Sequence, residues 1–272
     1  MLWRLSLALI LIAQTGLTAE LTLLSRMNLR AVDPAFGGLS AIEISSDGAQ
    51  VFLVSDRGGL FRADLSRQNG RLSGISVERL PQSLHGFDSE GLAIDADGQW
   101  FVSLEGRSQV RALPKTRLPR HPDFRKFPGN GGLEALAVDH TGALWTLPET
   151  SALQRKPIPI YRYANGRWTK PRTLPRDGLF LPVGADFGPD GKLYILERHL
   201  NAFGFRTRIR RITPGQNTPP ETLLKTSALT HGNLEGIAVW QDAQGRIRLT
   251  MVSDNNFKPY LRSEMVEYVL QE

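Results

Sequence analysis

The chain contains no cysteine. That excludes disulfides, thiolate metal sites, a cysteine nucleophile and a lipidated cysteine at a cleavage site, and it leaves the compartment open. Long apolar runs are also missing: beyond residue 19 no segment approaches the length of a membrane span. The short motifs of common catalytic machineries are absent too, with no G-x-S-x-G, no H-E-x-x-H and no glycine-rich phosphate loop ending in lysine. The five histidines (His85, His121, His140, His199 and His231) lack metal-ligand spacing. His199, two residues after the acid Glu197, is the candidate general base among them, with a loop or interface histidine as the alternative.

What is present begins with a leader. Met1 to Arg4 is a short basic start, Leu5 to Ala13 is almost wholly apolar, and small or polar residues run to Ala19. This is the layout of a signal peptide at residues 1–19, which implies a periplasmic or secreted protein; a retained N-terminal anchor is the alternative. The 272 residues carry a net charge of +6 and a sequence pI of about 9.8. A basic balance raises nucleic acid or acidic small molecules as partners. Export argues against nucleic acid, which leaves a small anionic substrate. A monomer with no membrane span after leader removal is expected.

The strongest signal is a repeat. Five strand openings start at residues 40, 90, 134, 183 and 235, at intervals of 44 to 52 residues. They read Ser40-Ala41-Ile42-Glu43-Ile44, Glu90-Gly91-Leu92-Ala93-Ile94, Glu134-Ala135-Leu136-Ala137-Val138, Val183-Gly184-Ala185-Asp186-Phe187 and Glu235-Gly236-Ile237-Ala238-Val239. The second column is Ala or Gly throughout, the fourth is Ala or an acid, and the third and fifth are apolar. Alternation of this kind describes a strand with one large and one small face, both buried. Each opening leads into a glycine turn (Gly48, Gly98, Gly142, Gly191, Gly245) and a second strand. Strands repeated at this period, with large faces packing into the small faces of the next repeat, predict an all-β propeller over residues 20–272. Counting favours five blades, with a degenerate sixth as the alternative. Residues 20–30 would supply the strand that closes the ring. The Pro- and Arg-rich stretch Leu113–Pro128 reads as a long inter-blade loop, and the Arg206, Arg208, Arg210 face as a solvated outer strand.

Acids recur in two sets. The second strands end on Asp56, Glu105, Glu149, Glu197 and Asp254, which radial symmetry would gather around one end of the central channel. The openings of three repeats begin with Glu90, Glu134 and Glu235, while Ser40 and Val183 break that pattern. Converging carboxylates repel unless a cation or arginines compensate them, and oxygen ligands from several blades suit Ca²⁺. Glu90, Glu134, Glu235 and Asp254 are the candidate metal ligands. The alternatives are solvated hairpin-end acids and strand-start glutamates that bond backbone N–H groups of the next blade. Arg57, Arg107 and Arg198 follow three of the strand-end acids and are candidates to orient an anionic substrate, unless they only pair with acids between blades. Glu105, Glu149 or Glu197 would serve as base.

Several segments together resemble the bacterial phytase-like family described as "esterase-like activity of phytase". They are Gly38-Leu39-Ser40 with Val54-Ser55-Asp56-Arg57-Gly58, Asp88-Ser89-Glu90-Gly91-Leu92-Ala93, Gly129-Asn130-Gly131-Gly132-Leu133-Glu134-Ala135-Leu136, Gly184-Ala185-Asp186-Phe187 through Leu196-Glu197-Arg198, and Asn233-Leu234-Glu235-Gly236 with Val252-Ser253-Asp254-Asn255-Asn256-Phe257. The resemblance implies an exported propeller and a hydrolase, and little about its substrate. Taken with the acids and arginines, the leading expectation is a Ca²⁺-binding hydrolase of an ester or phosphoester with its site at the channel mouth. The rival expectations are a non-catalytic binding or scaffold propeller and a lactonase-like hydrolase.

Overall fold

The computed structural model describes residues 19–30, 33–84, 86–129, 131–149 and 156–272. The expected leader, apart from Ala19, lies outside the described residues, as do His85 and Asn130. Blade 1 comprises β2 (Leu39–Ile44), β3 (Gln50–Ser55), β4 (Gly59–Gln68) and β5 (Arg71–Ser83). Blade 2 comprises β6 (Ser89–Ile94), β7 (Trp100–Leu104), β8 (Gln109–Ala112) and β9 (Thr116–Arg117). Blade 3 has β10 (Leu133–Val138), β11 (Leu144–Pro148), β12 (Ile158–Ala164) and β13 (Arg167–Leu174), and blade 4 has β14 (Leu181–Phe187), β15 (Leu193–Asn201), β16 (Gly204–Ile212) and β17 (Glu221–Lys225). Blade 5 is β18 (Asn233–Gln241), β19 (Ile247–Asp254) and β20 (Glu264–Gln271), completed on its outer edge by β1 (Glu20–Asn28) from the other end of the chain. All described strands belong to these five antiparallel sheets, and each inner strand packs on the next until β18 meets β2. The molecule is a five-bladed β-propeller, which removes the sixth blade.

The repeat columns explain why. All five turn glycines adopt positive φ, between 70° and 78°, where other residues are strained. The large apolar columns fill five separate cores, each between neighbouring blades; Leu92, Val102 and Leu104 of blade 2, for example, meet Ala41, Val54 and Leu60 of blade 1. The small column lets inner backbones approach. A Cβ on Gly91 would stand 2.6 Å from the Glu134 carbonyl oxygen of the next blade, and one on Gly236 would stand 3.0 Å from the Ala41 backbone. The axis is accordingly closed to a void of about 10 Å³.

One irregularity recurs in every blade. Where the two innermost strands pair, the register shifts between Leu39 and Ala41, Ser89 and Gly91, Leu133 and Ala135, Pro182 and Gly184, and Leu234 and Gly236. The extra residue of each β-bulge is the first of each opening: Ser40, Glu90, Glu134, Val183 and Glu235. A bulge leaves its residue outside the ladder and re-aims its side chain. The column holding three glutamates is therefore the column that the backbone turns away from regular sheet.

Two sequence expectations are corrected. Leu113–Pro128 is not only a loop: it carries β9, the fourth strand of blade 2, and a 3₁₀ turn at Pro122–Lys126. That turn buries Phe124 among Tyr161, Trp168 and Phe127, plugging the junction of blades 2 and 3. Arg208 and Arg210 are not solvated either; both are buried, for the reason given next.

Candidate functional site

The strand-end acids follow directly from register. Leu39 pairs with Ser55, Ser89 with Leu104, Leu133 with Pro148 and Asn233 with Asp254. The residue after Ser55 is Asp56, after Leu104 Glu105 and after Pro148 Glu149. In blade 4 Pro182 pairs with Glu197, so the residue that follows, and that matches the other acids, is Arg198. Glu197 lies one position early, and a one-residue slip places a side chain on the opposite face of its strand. There its carboxylate is fully buried and accepts four bonds: from Nε and Nη2 of Arg208 at 2.7 and 3.1 Å, and from Nε and Nη2 of Arg210 at 2.7 and 2.6 Å. Arg208 also bonds Asp177. Buried guanidinium groups need this degree of bidentate pairing, so Glu197 is an internal clamp of blade 4 and is not brought to the mouth.

The two acid sets expected from the sequence merge into one at that mouth. Glu105 and Glu134 bring carboxyl oxygens within 4.8 Å of each other, so their charges repel unless a proton or a cation compensates them, and Glu105 Oε1 also accepts from Gly131 N. Asp88, Glu90 and Glu105 have oxygens within 4.8 Å of one another, as do Glu105, Glu134 and Glu149. On the blade 5 side Asn233 Nδ2 donates to Glu235 Oε1 at 2.8 Å and to Asp254 Oδ2 at 3.4 Å, and Asp254 Oδ1 accepts from Asn256 N at 2.5 Å. Asp56 is close enough to Asp254 to feel its charge.

Among the described residues, Arg198 alone is ion-paired to these carboxylates. Its Nη2 reaches Glu149 at 3.0 Å, and its Nη1 contacts Glu235 and the Asn233 Oδ1. Burial works against its charge, but Glu235, Glu149 and Glu134 outweigh that and hold it protonated. Glu134, Glu149, Glu235 and Asp254 thus gather around one guanidinium, with Glu90, Glu105 and Asp88 on the Glu134 side and Asp56 beside Asp254. Burial first, and then the Asp254 charge, raise Asp56 to about 6. Burial raises Glu235 to about 8 despite Arg198, with Asp254 adding to the rise. Burial and the Glu149 and Glu105 charges push Glu134 well above the carboxylate range, and burial with Glu134 and Glu235 does the same to Glu90. Glu105 and Asp254 are also raised, chiefly by burial. Without a cation, protons take up the excess charge; the donor set is all hard oxygen and fits a divalent cation such as Ca²⁺.

Beside the acids opens a cavity of about 510 Å³. Glu149, Arg176, Arg198, His199, Asn233 and Asn256 form its polar wall, and Leu179, Leu181, Leu200 and Phe205 its apolar one. His199 lines the cavity with the Phe180 ring 5.5 Å away; two residues from Glu197 it shares that residue's strand face, and Phe180 also stacks on Arg208 at 4.4 Å. Arg57 and Arg107 are exposed and stack over Phe257 and Phe87 at 3.8 and 4.9 Å; among the described residues neither is ion-paired to the mouth acids, although Asp56 feels the Arg57 charge. Two contributors were not singled out from the sequence: Asp88, whose signal is its place two residues before Glu90, and Asn233, two before Glu235. A second carboxyl pair, Glu43 and Asp186, comes from the fourth column. Asp186 accepts from Val239 N at 2.6 Å and Phe187 N at 2.7 Å, and burial raises it to about 7.

The sequence matches the phytase-like family, "Esterase-like activity of phytase", over residues 34–257. The chain belongs to that family. The match runs from just before the first opening to Phe257, so it takes in every acid of the mouth. No protein of curated function matches the sequence. Among solved structures, this phytase-like chain is similar to the α-L-arabinofuranosidase PaAbf62A from Podospora anserina in complex with cellotriose, at 13% identity and a TM-score of 0.56, covering 94% of this chain and 98% of that one. A putative gluconolactonase is 12% identical with a TM-score of 0.49, covering 92% and 93%. A calcium-binding regucalcin from Agrobacterium tumefaciens is 13% identical with a TM-score of 0.45, covering 90% and 95%. At these identities the likeness is one of fold. No helix among the described residues is long and apolar enough to cross a membrane.

Proposed function

We propose that the protein is an exported, calcium-dependent hydrolase of ester or phosphoester bonds, acting in the 510 Å³ cavity beside the acid-lined mouth. The observation that carries this reading is the convergence of bulge-aimed glutamates and strand-end acids from four blades on one cation-poor point, with a half-apolar cavity opening next to it. Asp88, Glu90, Glu105, Glu134, Glu235 and Asp254 are the residues that would hold the cation. A cation bound there supplies Lewis acidity toward a carbonyl or phosphoryl oxygen and lowers the pKa of water. Glu149, half-buried in the cavity wall, takes the proton from the attacking water. Arg198 offers positive charge to the oxyanion that develops, and Asn233 keeps Glu235 and Asp254 oriented. Glu197 has no part in the reaction. Leu179 and Leu200, 68% and 62% exposed at the cavity rim, suit a substrate with an apolar group next to its ester.

The test is a panel of aryl and alkyl esters, phosphomonoesters and lactones, assayed with calcium and with chelator, on the wild type and on Glu149→Gln. Calcium-dependent turnover of an ester, reduced by at least about a hundredfold in the variant, is expected for loss of a general base. Turnover of lactones alone would move the chemistry to the lactonase class. A blank panel with intact calcium binding would make the mouth a structural or binding site.

A further inference from the structure

Arg111, on β8, is the odd arginine of this molecule. Its residue is 8% exposed, yet its Nε and Nη2 atoms are buried without a hydrogen-bond partner. These two nitrogens form one edge of the guanidinium, the edge that grips a carboxylate or phosphate with two parallel bonds. The same edge is used in blade 4, where Nε and Nη2 of both Arg208 and Arg210 hold Glu197. Leaving such an edge unpaired in the interior is costly, and Arg111 has no acid to repay it.

The surroundings are of one sign. β8 pairs with β9 so that Arg111 lies opposite Arg117, and the Phe87 ring lies under the guanidinium at 4.0 Å. Arg107 stacks over the same ring at 4.9 Å. Among the described residues, none of the three arginines has a carboxylate partner. Burial and the charges of Arg117 and Arg107 all depress the Arg111 pKa, so nothing nearby compensates it. Arg107 and Arg117 also line a cavity of about 330 Å³ with Arg120 and Arg125, and its wall contains no acid.

We propose that the Nε–Nη2 edge of Arg111, flanked by Arg107 and Arg117, binds a tetrahedral oxyanion of the phosphate class. A dianion meets three positive charges that have no internal counter-ion, and two of its oxygens satisfy the two orphaned donors. A monocarboxylate would neutralise less of the charge, which favours the phosphate class. Because both atoms are closed to water, admission requires a neighbouring side chain to turn; the exposed Arg107 and Arg117 are the long flexible ones, and each can follow the anion onto the site. The inference does not depend on the chemistry proposed at the acid-lined mouth.

The experiment is titration with inorganic phosphate, followed by calorimetry and thermal unfolding at constant ionic strength held with chloride. A parallel arm uses glycerol phosphate. The wild type is expected to bind with saturation, and Arg111→Met to bind at least about tenfold more weakly, the loss for removing charge-assisted bonds. Replacing an unpaired buried charge with an apolar side chain is expected to leave the anion-free melting temperature unchanged or higher, so a folding defect cannot mimic the result. Arg117→Gln, on the exposed β9, is expected to weaken binding severalfold without unfolding the blade. Tighter binding of glycerol phosphate supports a phosphate ester as ligand, and binding of inorganic phosphate alone supports the free ion. An equal response to chloride, or unchanged phosphate affinity in Arg111→Met, would overturn the proposal.

Discussion

Glu197 within β15 and Glu149 just after β11 look alike in the sequence, but the register gives them opposite fates, and Glu→Gln at each should separate them. At Glu197 the carboxylate is completely buried and receives four N–H bonds from Arg208 and Arg210, which are 0% and 4% exposed. Glutamine keeps the shape but presents one carbonyl oxygen and an amide donor to two guanidinium groups. Two positive charges then remain in the interior with Asp177 alone to offset them. Breaking one side of a buried ion pair costs about 3–5 kcal/mol. For a domain of this size each kcal/mol moves the melting temperature by roughly 2–4 °C, so a drop of about 6–20 °C is expected. Glu149→Gln instead removes one carboxylate from a like-charged cluster and should leave the metal-free melting temperature unchanged or raised. Differential scanning calorimetry in chelator at pH 7.5 measures both. A loss below about 1 kcal/mol at Glu197, or a larger loss at Glu149 than at Glu197, would refute the register argument.

Two further outcomes follow from the same geometry. Asp56, Asp186 and Glu235 have folded-state pKa values raised to about 6, 7 and 8, so the folded protein binds more protons than the unfolded chain across that interval. The stability they contribute is complete below about pH 4 and is lost as pH climbs to 8. In chelator, urea unfolding should therefore give less stability at pH 8 than at pH 5, by an amount on the order of a few kcal/mol. Stability that rises over this range would mean the mouth acids are already compensated. Gly91→Ala would place a methyl group 2.6 Å from the Glu134 carbonyl oxygen, a backbone atom that cannot swing aside. An overpacking loss of about 1–3 kcal/mol is expected by chemical denaturation, and a neutral result would remove the close-approach explanation for the small column.

The blade core was legible because each column serves one physical demand. Ala41, Gly91, Ala135, Gly184 and Gly236 are small for the sake of the neighbouring backbone, and the third and fifth columns are apolar because they face the next blade. The outer strands were harder: β5, β9 and β13 are largely exposed and polar, so alternation does not mark them, and β9 is only two residues long. The acids were legible as a recurring feature and less so as a site. The bulge that aims Glu90, Glu134 and Glu235 is a property of strand pairing, which one strand's sequence does not contain. The slip at Pro182 and Glu197 has the same origin, and it explains why Arg208 and Arg210, alternating as a solvated face would, are buried. Arg198, a candidate because it follows Glu197, occupies at the mouth the position that the acids hold in the other blades.

The central claim, that the mouth carboxylates hold a divalent cation, is tested most directly by isothermal titration of the chelator-stripped protein with calcium in two buffers of different ionisation enthalpy. Binding with proton release is expected, since Glu90, Glu134 and Glu235 must give up protons to become ligands. Glu134→Gln should weaken it by at least about tenfold, the loss of one charged oxygen ligand. Glu221→Gln, far out on β17, should not change it. No binding at millimolar calcium, or equal affinity in Glu134→Gln, would contradict the assignment.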